Sequence, residues 1–187
     1  MNTTIKTAPP RARGLRVLLK LMSLLAIAAV LWVMGRYALF GGTARELPTL
    51  RVDLAALAVG DALTLDWDGR PVAVLHRSAP MLIELGNGDD AVYDPESRLS
   101  TQPPHARNSL RAEPPEFLVV LMSAPDLGCP VAFERGVDDQ IHGFRDQCRG
   151  SRYDLAGRVR VDQASKRNLI VPDYRIRDRE LLLGAKQ

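Results

Sequence analysis

Two short stretches, SAPDLGC at residues 123–129 and QCRGSRYDLAGRV at residues 147–159, decide how the whole chain is interpreted. They hold the only two cysteines among the 187 residues, Cys129 and Cys148. The second stretch has the glycines and polar side chains of a functional loop. Neither stretch contains a histidine or a further cysteine that could complete a metal site. The two loops therefore pose the question of what they hold.

Upstream of both stretches, residues 17–40 predict one transmembrane helix. The uninterrupted apolar core, from Leu21 to Gly35, is short for a bilayer, which needs roughly 20 residues. Lys20 and Arg36 can extend the span by directing their charges outward. Five basic residues and no acidic one lead into the core, namely Lys6, Arg11, Arg13, Arg16 and Lys20. This asymmetry places the N-terminus in the cytoplasm and the remainder outside it.

A cleaved signal peptide is the alternative, because a basic start and a short apolar core also suit one. The apolar character that continues to Phe40 favours an uncleaved anchor. Export in turn predicts that Cys129 and Cys148 form a disulfide. Such a bond closes a loop of about 20 residues and contributes about 3 kcal/mol in the chain-entropy model.

The composition of the exported part favours short strands over a helix bundle. The chain has 13 prolines and a net charge of only +3, which is too small to indicate nucleic-acid binding. Leu63–Trp67 and Val72–His76 flank Asp68-Gly69 and predict a hairpin. Other strands are predicted at residues 50–54, 117–122, 153–155, 157–161, 169–171, 174–176 and 180–183, with a long loop at 86–115. This spacing predicts a small antiparallel sandwich or barrel.

Several short segments share their order and spacing with one known family. They are Trp67-Asp-Gly-Arg-Pro-Val72, Asp94-Pro-Glu-Ser97, Gln102-Pro103, Ala106-Arg-Asn108, Glu116-Phe-Leu-Val-Val120, Leu127-Gly-Cys129, residues 150–159 and Asn168-Leu-Ile-Val-Pro172. Through them, residues 50–184 resemble the Rieske iron–sulfur subunit of the bacterial cytochrome bc (quinol–cytochrome c oxidoreductase) complex. The resemblance implies an all-β protein: a Rieske-like antiparallel β-sandwich with an inserted two-loop subdomain, plus one N-terminal transmembrane helix.

The resemblance also implies an organisation along the chain. A basic cytoplasmic tail is expected at 1–16, the transmembrane helix at 17–40, a flexible tether at 41–48 and the exported domain at 49–187. The altered cluster-loop region lies at about 122–153. The expected location is the bacterial inner membrane, with the C-terminal domain in the periplasm.

In the family, the loop motifs C-T-H-L-G-C and C-P-C-H-G-S hold a [2Fe–2S] cluster. The first Cys and the His of each motif bind iron, and the remaining two Cys form a disulfide. Matching the motifs to this sequence keeps the disulfide pair, Cys129 and Cys148, but changes all four ligand positions, which become Ala124, Asp126, Asp146 and Arg149. The retained frame comprises Leu127, Gly128, Gly150, Ser151 and Tyr153.

These replacements predict that the chain has no cofactor. Ala124 has no donor atom, and Arg149 stays protonated without a lone pair for a metal. Asp126 and Asp146 are hard oxygen ligands that suit iron–sulfide chemistry poorly. We expect Arg149 to form partly solvated ion pairs with these two carboxylates and so to fill polar space that a cluster would occupy.

The remaining polar residues are given modest roles. Asp126, Asp138, Asp139, Asp146 and His142 are possible ligands for another metal, but we expect Asp138-Asp139 to form a solvated loop and His142 to lie at the surface or face a partner. Ser151 and Tyr153 are expected to pack the loops, and His76 and His105 are assigned no role.

The predicted function is that of a non-catalytic, membrane-anchored Rieske-fold protein. It would serve as a non-redox accessory subunit or assembly factor of a respiratory membrane complex, with integral-membrane partners such as a cytochrome b or an oxidase. One alternative is a functional Rieske electron-transfer subunit. A second alternative is a protein that binds a metal or small ligand at the altered loops.

Overall fold

A computed structural model describes residues 10–39, 47–88 and 91–185, which fall into an N-terminal unit and a unit that begins at Leu47. The N-terminal unit is one helix, α1, at Pro10–Leu39. Its stretch Gly14–Ala38 is long and apolar enough to cross a membrane. The helix begins before the predicted residue 17 because proline is tolerated in a first turn and arginine favours helices. Phe40 and most of the predicted tether, residues 41–46, lie outside the described residues.

The second unit is built from three antiparallel sheets of three strands each. The first sheet has the order β1-β9-β8, with β1 at Leu50–Asp53, β8 at Tyr174–Arg177 and β9 at Glu180–Leu183. The second contains β2 (Ala62–Trp67), β3 (Arg70–His76) and β4 (Phe117–Leu121). The third contains β5 (Val131–Arg135), β6 (Ile141–Asp146) and β7 (Arg152–Tyr153). The predicted all-β class with an apolar N-terminal helix is confirmed.

The predicted hairpin joins β2 to β3. Trp67 pairs with Arg70, which leaves Asp68 and Gly69 as a two-residue turn with φ angles of 53° and 78°. Both angles are left-handed, as the favoured two-residue hairpin turn requires. The Trp67 indole N–H donates to the Pro48 carbonyl at 2.7 Å. This bond ties the start of the second unit to the hairpin.

Two predicted strands do not form. Residues 157–161 and 169–171 make only isolated bridges and loop contacts, such as Leu121 N–H to the Ile170 carbonyl at 2.9 Å. Val159, Leu169 and Val171 are buried without joining a ladder, whereas Val161 is exposed. Among the described residues, four elements were not predicted: the helix α2 at Ala79–Gly86, a short 3-10 helix at Pro104–Ala106, and the strands β5 and β6. The polar residues of β5, β6 and the turn between them obscured the alternation of apolar and polar side chains that predicts a strand.

Three arginines of the second unit, Arg77, Arg111 and Arg158, are fully buried. Their guanidinium groups donate hydrogen bonds to backbone carbonyls and so hold neighbouring segments together. Arg77 donates to the carbonyls of Leu110, at 2.9 Å, and Pro115. Arg111 donates to the carbonyls of Ala156, Gly157 and Leu169. Arg158 pairs with Asp154 at 2.7 Å. Burial lowers the pKa of Arg77 and of Arg111 to about 10, so both guanidinium groups stay charged at neutral pH. Sequence reasoning missed this network.

Candidate functional site

The two cysteine loops meet at one end of the third sheet, and we call loop 1 (residues 123–130) and loop 2 (residues 146–151) together the tip. Loop 1 is closed by Ala124 N–H to the Cys129 carbonyl at 2.8 Å and Gly128 N–H to the Ala124 carbonyl at 2.9 Å. The Gln147 N–H donates to the Pro130 carbonyl at 2.9 Å and joins the loops. The tip is therefore a connected backbone structure.

Loop 2 is organised around Asp146, the last residue of β6. Its Oδ1 accepts the backbone N–H groups of Cys148 at 2.7 Å and Arg149 at 3.3 Å. Its carbonyl accepts the N–H of Gly150 at 2.9 Å. Gly150 adopts a left-handed φ of 71°, which a glycine reaches without strain. The carboxylate thus sets the turn that presents Cys148 and Arg149.

The disulfide joins the loops covalently, with Cα atoms of Cys129 and Cys148 5.9 Å apart. The two sulfurs differ in environment, because Cys129 is buried and Cys148 is exposed. Only Cys148 can therefore be reached from solvent without opening the tip.

Arg149 forms the predicted ion pairs with the two aspartates. Its Nη2 lies 3.0 Å from Asp126 Oδ2, and its Nε lies 3.6 Å from Asp146 Oδ2. The expectation that both pairs are partly solvated is wrong for Asp146, whose side chain is 0% exposed. The reason is that β6 ends at Asp146 and carries its side chain into the core.

The contact between the Arg149 guanidinium and the Asp126 carboxylate shifts the pKa of both groups. Burial raises the pKa of Asp126, but the side-chain hydrogen bonds from Arg149 and Ser165, together with the charges of Arg149 and Arg167, outweigh it, so the pKa lies below its usual value. The hydrogen bond to Asp126 in turn raises the pKa of Arg149. Both groups are charged across the physiological range.

The other loop residues surround this pair. Ala124 is buried, whereas Leu127 is 68% exposed beside the disulfide. The Ser151 hydroxyl accepts the Ser165 N–H at 3.1 Å. Tyr153 is buried, and burial raises the pKa of its phenol.

The remaining sequence candidates lie elsewhere. His142 Nε2 is 3.3 Å from Asp138 Oδ1, and Arg135 pairs with Asp139, all on the hairpin between β5 and β6. His76 stacks on Phe117, and His105 packs edge-on against Tyr174. The structure brings none of these histidines to the tip.

Across the described ranges, one group of side chains has metal-ligand spacing. The sulfurs of Cys129 and Cys148 and a carboxylate oxygen of Asp146 all lie within 4.8 Å of one another. The Oδ2 atom of Asp146 is buried and accepts no hydrogen bond. While the disulfide is closed, both sulfurs are bonded to each other rather than free to coordinate.

Comparison with known proteins matches these features to one family. The chain is 33% identical to the ubiquinol–cytochrome c reductase iron–sulfur subunit of Allochromatium vinosum, over 94% of this chain and 93% of that protein. This chain belongs to the Rieske iron–sulfur subunit family. The subunit of the same name from Rhodospirillum rubrum is 32% identical over 71% of this Rieske-family chain and 68% of its own length.

A mitochondrial relative and a solved structure are also similar to this chain, over less of the relative's length or with lower identity. The Rieske subunit of the Candida albicans mitochondrial cytochrome b-c1 complex is 32% identical over 72% of this chain. The Rieske-family chain spans 57% of that protein's length. A structure described as a hyperthermophilic respiratory Complex III aligns with a TM-score of 0.43 and 15% identity, over 91% of this chain and 98% of that one, which is too low a likeness to carry an argument. No family model matches the sequence.

Membership of the family corrects the prediction that the chain has no cofactor. The relatives are named iron–sulfur subunits, so the cofactor expected of a family member is an iron–sulfur cluster. The residues of this tip nevertheless do not fit a cluster held by two thiolates and two imidazoles. Ala124 is apolar, the Arg149 guanidinium lies between two carboxylates, and the two cysteines are joined to each other. The function proposed for this chain does not involve a cluster.

Proposed function

We propose that this Rieske-family chain is a membrane-anchored accessory subunit of a ubiquinol–cytochrome c reductase-type complex and that its fold serves docking rather than electron transfer. The relatives from Allochromatium vinosum and Rhodospirillum rubrum are named as subunits of that reductase. The partner proposed for this chain is therefore an integral-membrane subunit of such a complex, such as a cytochrome b.

The position of Arg149 is the observation that carries the non-redox part of the proposal. A guanidinium is a permanent donor, so it can neither accept a proton from a quinol nor take up an electron. Arg149 is held at 3.0 Å by Asp126, at one of the altered ligand positions. Arg149 therefore cannot be the acceptor in a proton-coupled electron transfer.

The apolar N-terminal helix supports membrane anchoring. Basic residues precede the span and acidic ones do not, which favours a cytoplasmic N-terminus and a periplasmic domain in the inner membrane. The Cys129–Cys148 disulfide is consistent with an oxidising compartment.

The tip also carries the apolar contact that docking requires. Leu127 is 68% exposed next to the disulfide, and its backbone is fixed by the closed loop 1. An exposed leucine on a rigid loop can enter an apolar pocket on a partner with little loss of conformational freedom. The surrounding Arg149–Asp126 pair supplies a polar rim.

Purification of the full chain from its native membranes, in mild detergent and with an affinity tag at the C-terminus, tests the proposal. We expect haem-containing integral-membrane subunits to co-purify. Redox titration of the isolated chain should give no reversible one-electron wave.

Two outcomes would contradict the proposal in different ways. A reversible one-electron wave with stoichiometric iron would favour the electron-carrier alternative. Recovery of the intact chain alone from membranes that contain an assembled reductase would exclude the accessory-subunit role. A charge-neutral variant, Arg149→Gln, tests the docking tip: we expect it to reduce co-purification of the membrane subunits, because Arg149 supplies part of the polar rim, and to leave the isolated chain without a one-electron wave.

A further inference from the structure

We propose that opening of the Cys129–Cys148 disulfide creates a binding site for one zinc ion, with the two cysteine thiolates and Asp146 as its protein ligands. The closed disulfide keeps this site inactive, so the tip binds metal only in its reduced state. The proposal is independent of the partner that the chain docks on.

The distances in the closed tip suit this coordination. The three ligand atoms lie within 4.8 Å of one another. Two thiolates on one tetrahedral zinc, each at about 2.3 Å, stand about 3.8 Å apart. The Cα atoms of Cys129 and Cys148 are 5.9 Å apart, and side-chain rotation suffices to move the freed sulfurs to that separation.

Asp146 is already arranged as a ligand. Its Oδ1 is held by the N–H groups of Cys148 and Arg149, which fixes the orientation of the carboxylate. Its Oδ2 is buried and accepts no hydrogen bond within the described chain. A buried acceptor without a donor costs free energy, and a metal ion at Oδ2 removes that cost. Backbone groups that hold one oxygen while the other coordinates are typical of metal sites.

The local charges favour a soft dication. Two thiolates and one carboxylate carry three negative charges, so bound zinc leaves a net charge of −1 on the site. The guanidinium of Arg149 lies 3.6 Å from Asp146 Oδ2 and balances that charge, while Asp126 holds it from the other side at 3.0 Å. Thiolate ligands select zinc over magnesium or calcium.

Opening of the site is a thiol–disulfide exchange with an external dithiol. The dithiol's thiolate attacks the exposed Cys148 sulfur, the S–S bond breaks, and Cys129 leaves as a thiolate. The second thiol of the reductant then resolves the mixed disulfide and releases Cys148. The reductant is oxidised to its own disulfide, and zinc binding displaces the remaining thiol protons.

Cobalt provides a direct spectroscopic test, because thiolate ligands give Co²⁺ charge-transfer absorption in the near ultraviolet. The full chain, purified in detergent, is compared in its oxidised form and after reduction with a water-soluble phosphine. We expect the reduced chain to bind one equivalent of Co²⁺ with thiolate charge-transfer bands that zinc abolishes. The oxidised chain should show no such bands, and neither form should respond to Mg²⁺.

Variants assign the ligands. Asp146→Asn should weaken zinc binding by the reduced chain by at least about tenfold, since a ligand substitution costs no less than a change in its supporting residues. Asp178→Asn is the matched control, because Asp178 lies in the exposed turn between β8 and β9, and it should not change affinity. Cys129→Ser with Cys148→Ser should abolish the charge-transfer bands.

Three results would overturn the proposal. They are equal cobalt binding by the oxidised chain, a reduced chain that binds cobalt without thiolate bands, and an Asp146→Asn variant that binds zinc as tightly as the parent. The Asp146→Asn variant leaves the disulfide intact, so its oxidised form provides a check that the variant is folded.

Discussion

Within the unit that begins at Leu47, the tip and the remaining described residues, which we call the base, hold their polar groups in different ways. In the base, the guanidinium groups of Arg77, Arg111 and Arg158 are fully buried and donate to carbonyls of several loops. At the tip, the Arg149 side chain is 30% exposed and pairs with two carboxylates. In the base, arginine side chains hold backbone carbonyls in place, whereas at the tip an arginine forms ion pairs at the surface.

This difference explains how the ligand positions can change while the fold persists. Several loop carbonyls of the base, such as those of Ala156 and Leu169, accept from Arg111, so its substitution removes a donor from buried acceptors. The tip is closed by its own backbone hydrogen bonds and one disulfide, which do not involve the side chains of Asp126 or Arg149. The side chains of Asp126 and Arg149 can therefore change without loss of the fold. Four variants test this difference between the base and the tip.

The largest effect is expected in the base, for Arg111→Met. Methionine occupies similar volume, but the carbonyls of Ala156 and Leu169 lose the Arg111 donor, and the Gly157 carbonyl keeps only the Leu169 N–H at 2.8 Å. We expect the free energy of unfolding to fall by about 3 kcal/mol or more, measured by denaturant titration followed by circular dichroism. The exposed Arg107→Met is the control and should change stability by less than about 0.5 kcal/mol. Equal effects of the two variants would show that the buried network does not stabilise the base.

The next largest effect is expected at the covalent link of the tip. Replacing both Cys129 and Cys148 by alanine opens a loop with a sequence separation of 19 residues. The chain-entropy model gives a loss of about 3 kcal/mol, at most similar to that of Arg111→Met. The sheets should remain, with unchanged far-ultraviolet circular dichroism. A phosphine reductant should destabilise the parent chain by a similar amount and leave the double variant unaffected. A reductant effect on the variant would indicate a cause other than this bond.

Sequence reasoning succeeded where local chemistry decides structure. Asp68-Gly69 requires a two-residue turn and so predicted its hairpin, and the apolar stretch predicted α1. It failed where tertiary contacts decide. Val159 and Leu169 are buried without joining a sheet, and no local pattern marks Arg111 as buried. At the tip, the loop motifs identified Asp126 and Arg149 as neighbours, but burial of Asp146 depends on the packing of β6.

A smaller effect is expected for the ionic contact of the tip, tested with Asp126→Asn. Because the folded pKa of Asp126 lies below its ordinary value, the contact stabilises the fold above about pH 4 and is lost as pH falls through the lowered pKa. The variant should melt below the parent at pH 7, by less than the disulfide variant does. The difference should disappear near pH 2. A double-mutant cycle with Arg149→Gln should show that the two effects are not additive. Additive effects, or a difference that persists in acid, would contradict this pairing.

The smallest effect on stability, and the largest on assembly, is expected for Leu127→Ser. Leu127 is 68% exposed, so its loss should change the free energy of unfolding by less than about 0.5 kcal/mol. The variant should nevertheless recover much less of the membrane partner on affinity purification, because an apolar contact at the centre of a docking surface contributes far more to binding than to folding. Leu99→Ser is a matched control, since Leu99 is 60% exposed on a loop of the base, and it should leave recovery unchanged. If both variants retain the partner equally, the chain docks through a surface other than the tip, and the exposed leucine beside the disulfide has no part in assembly.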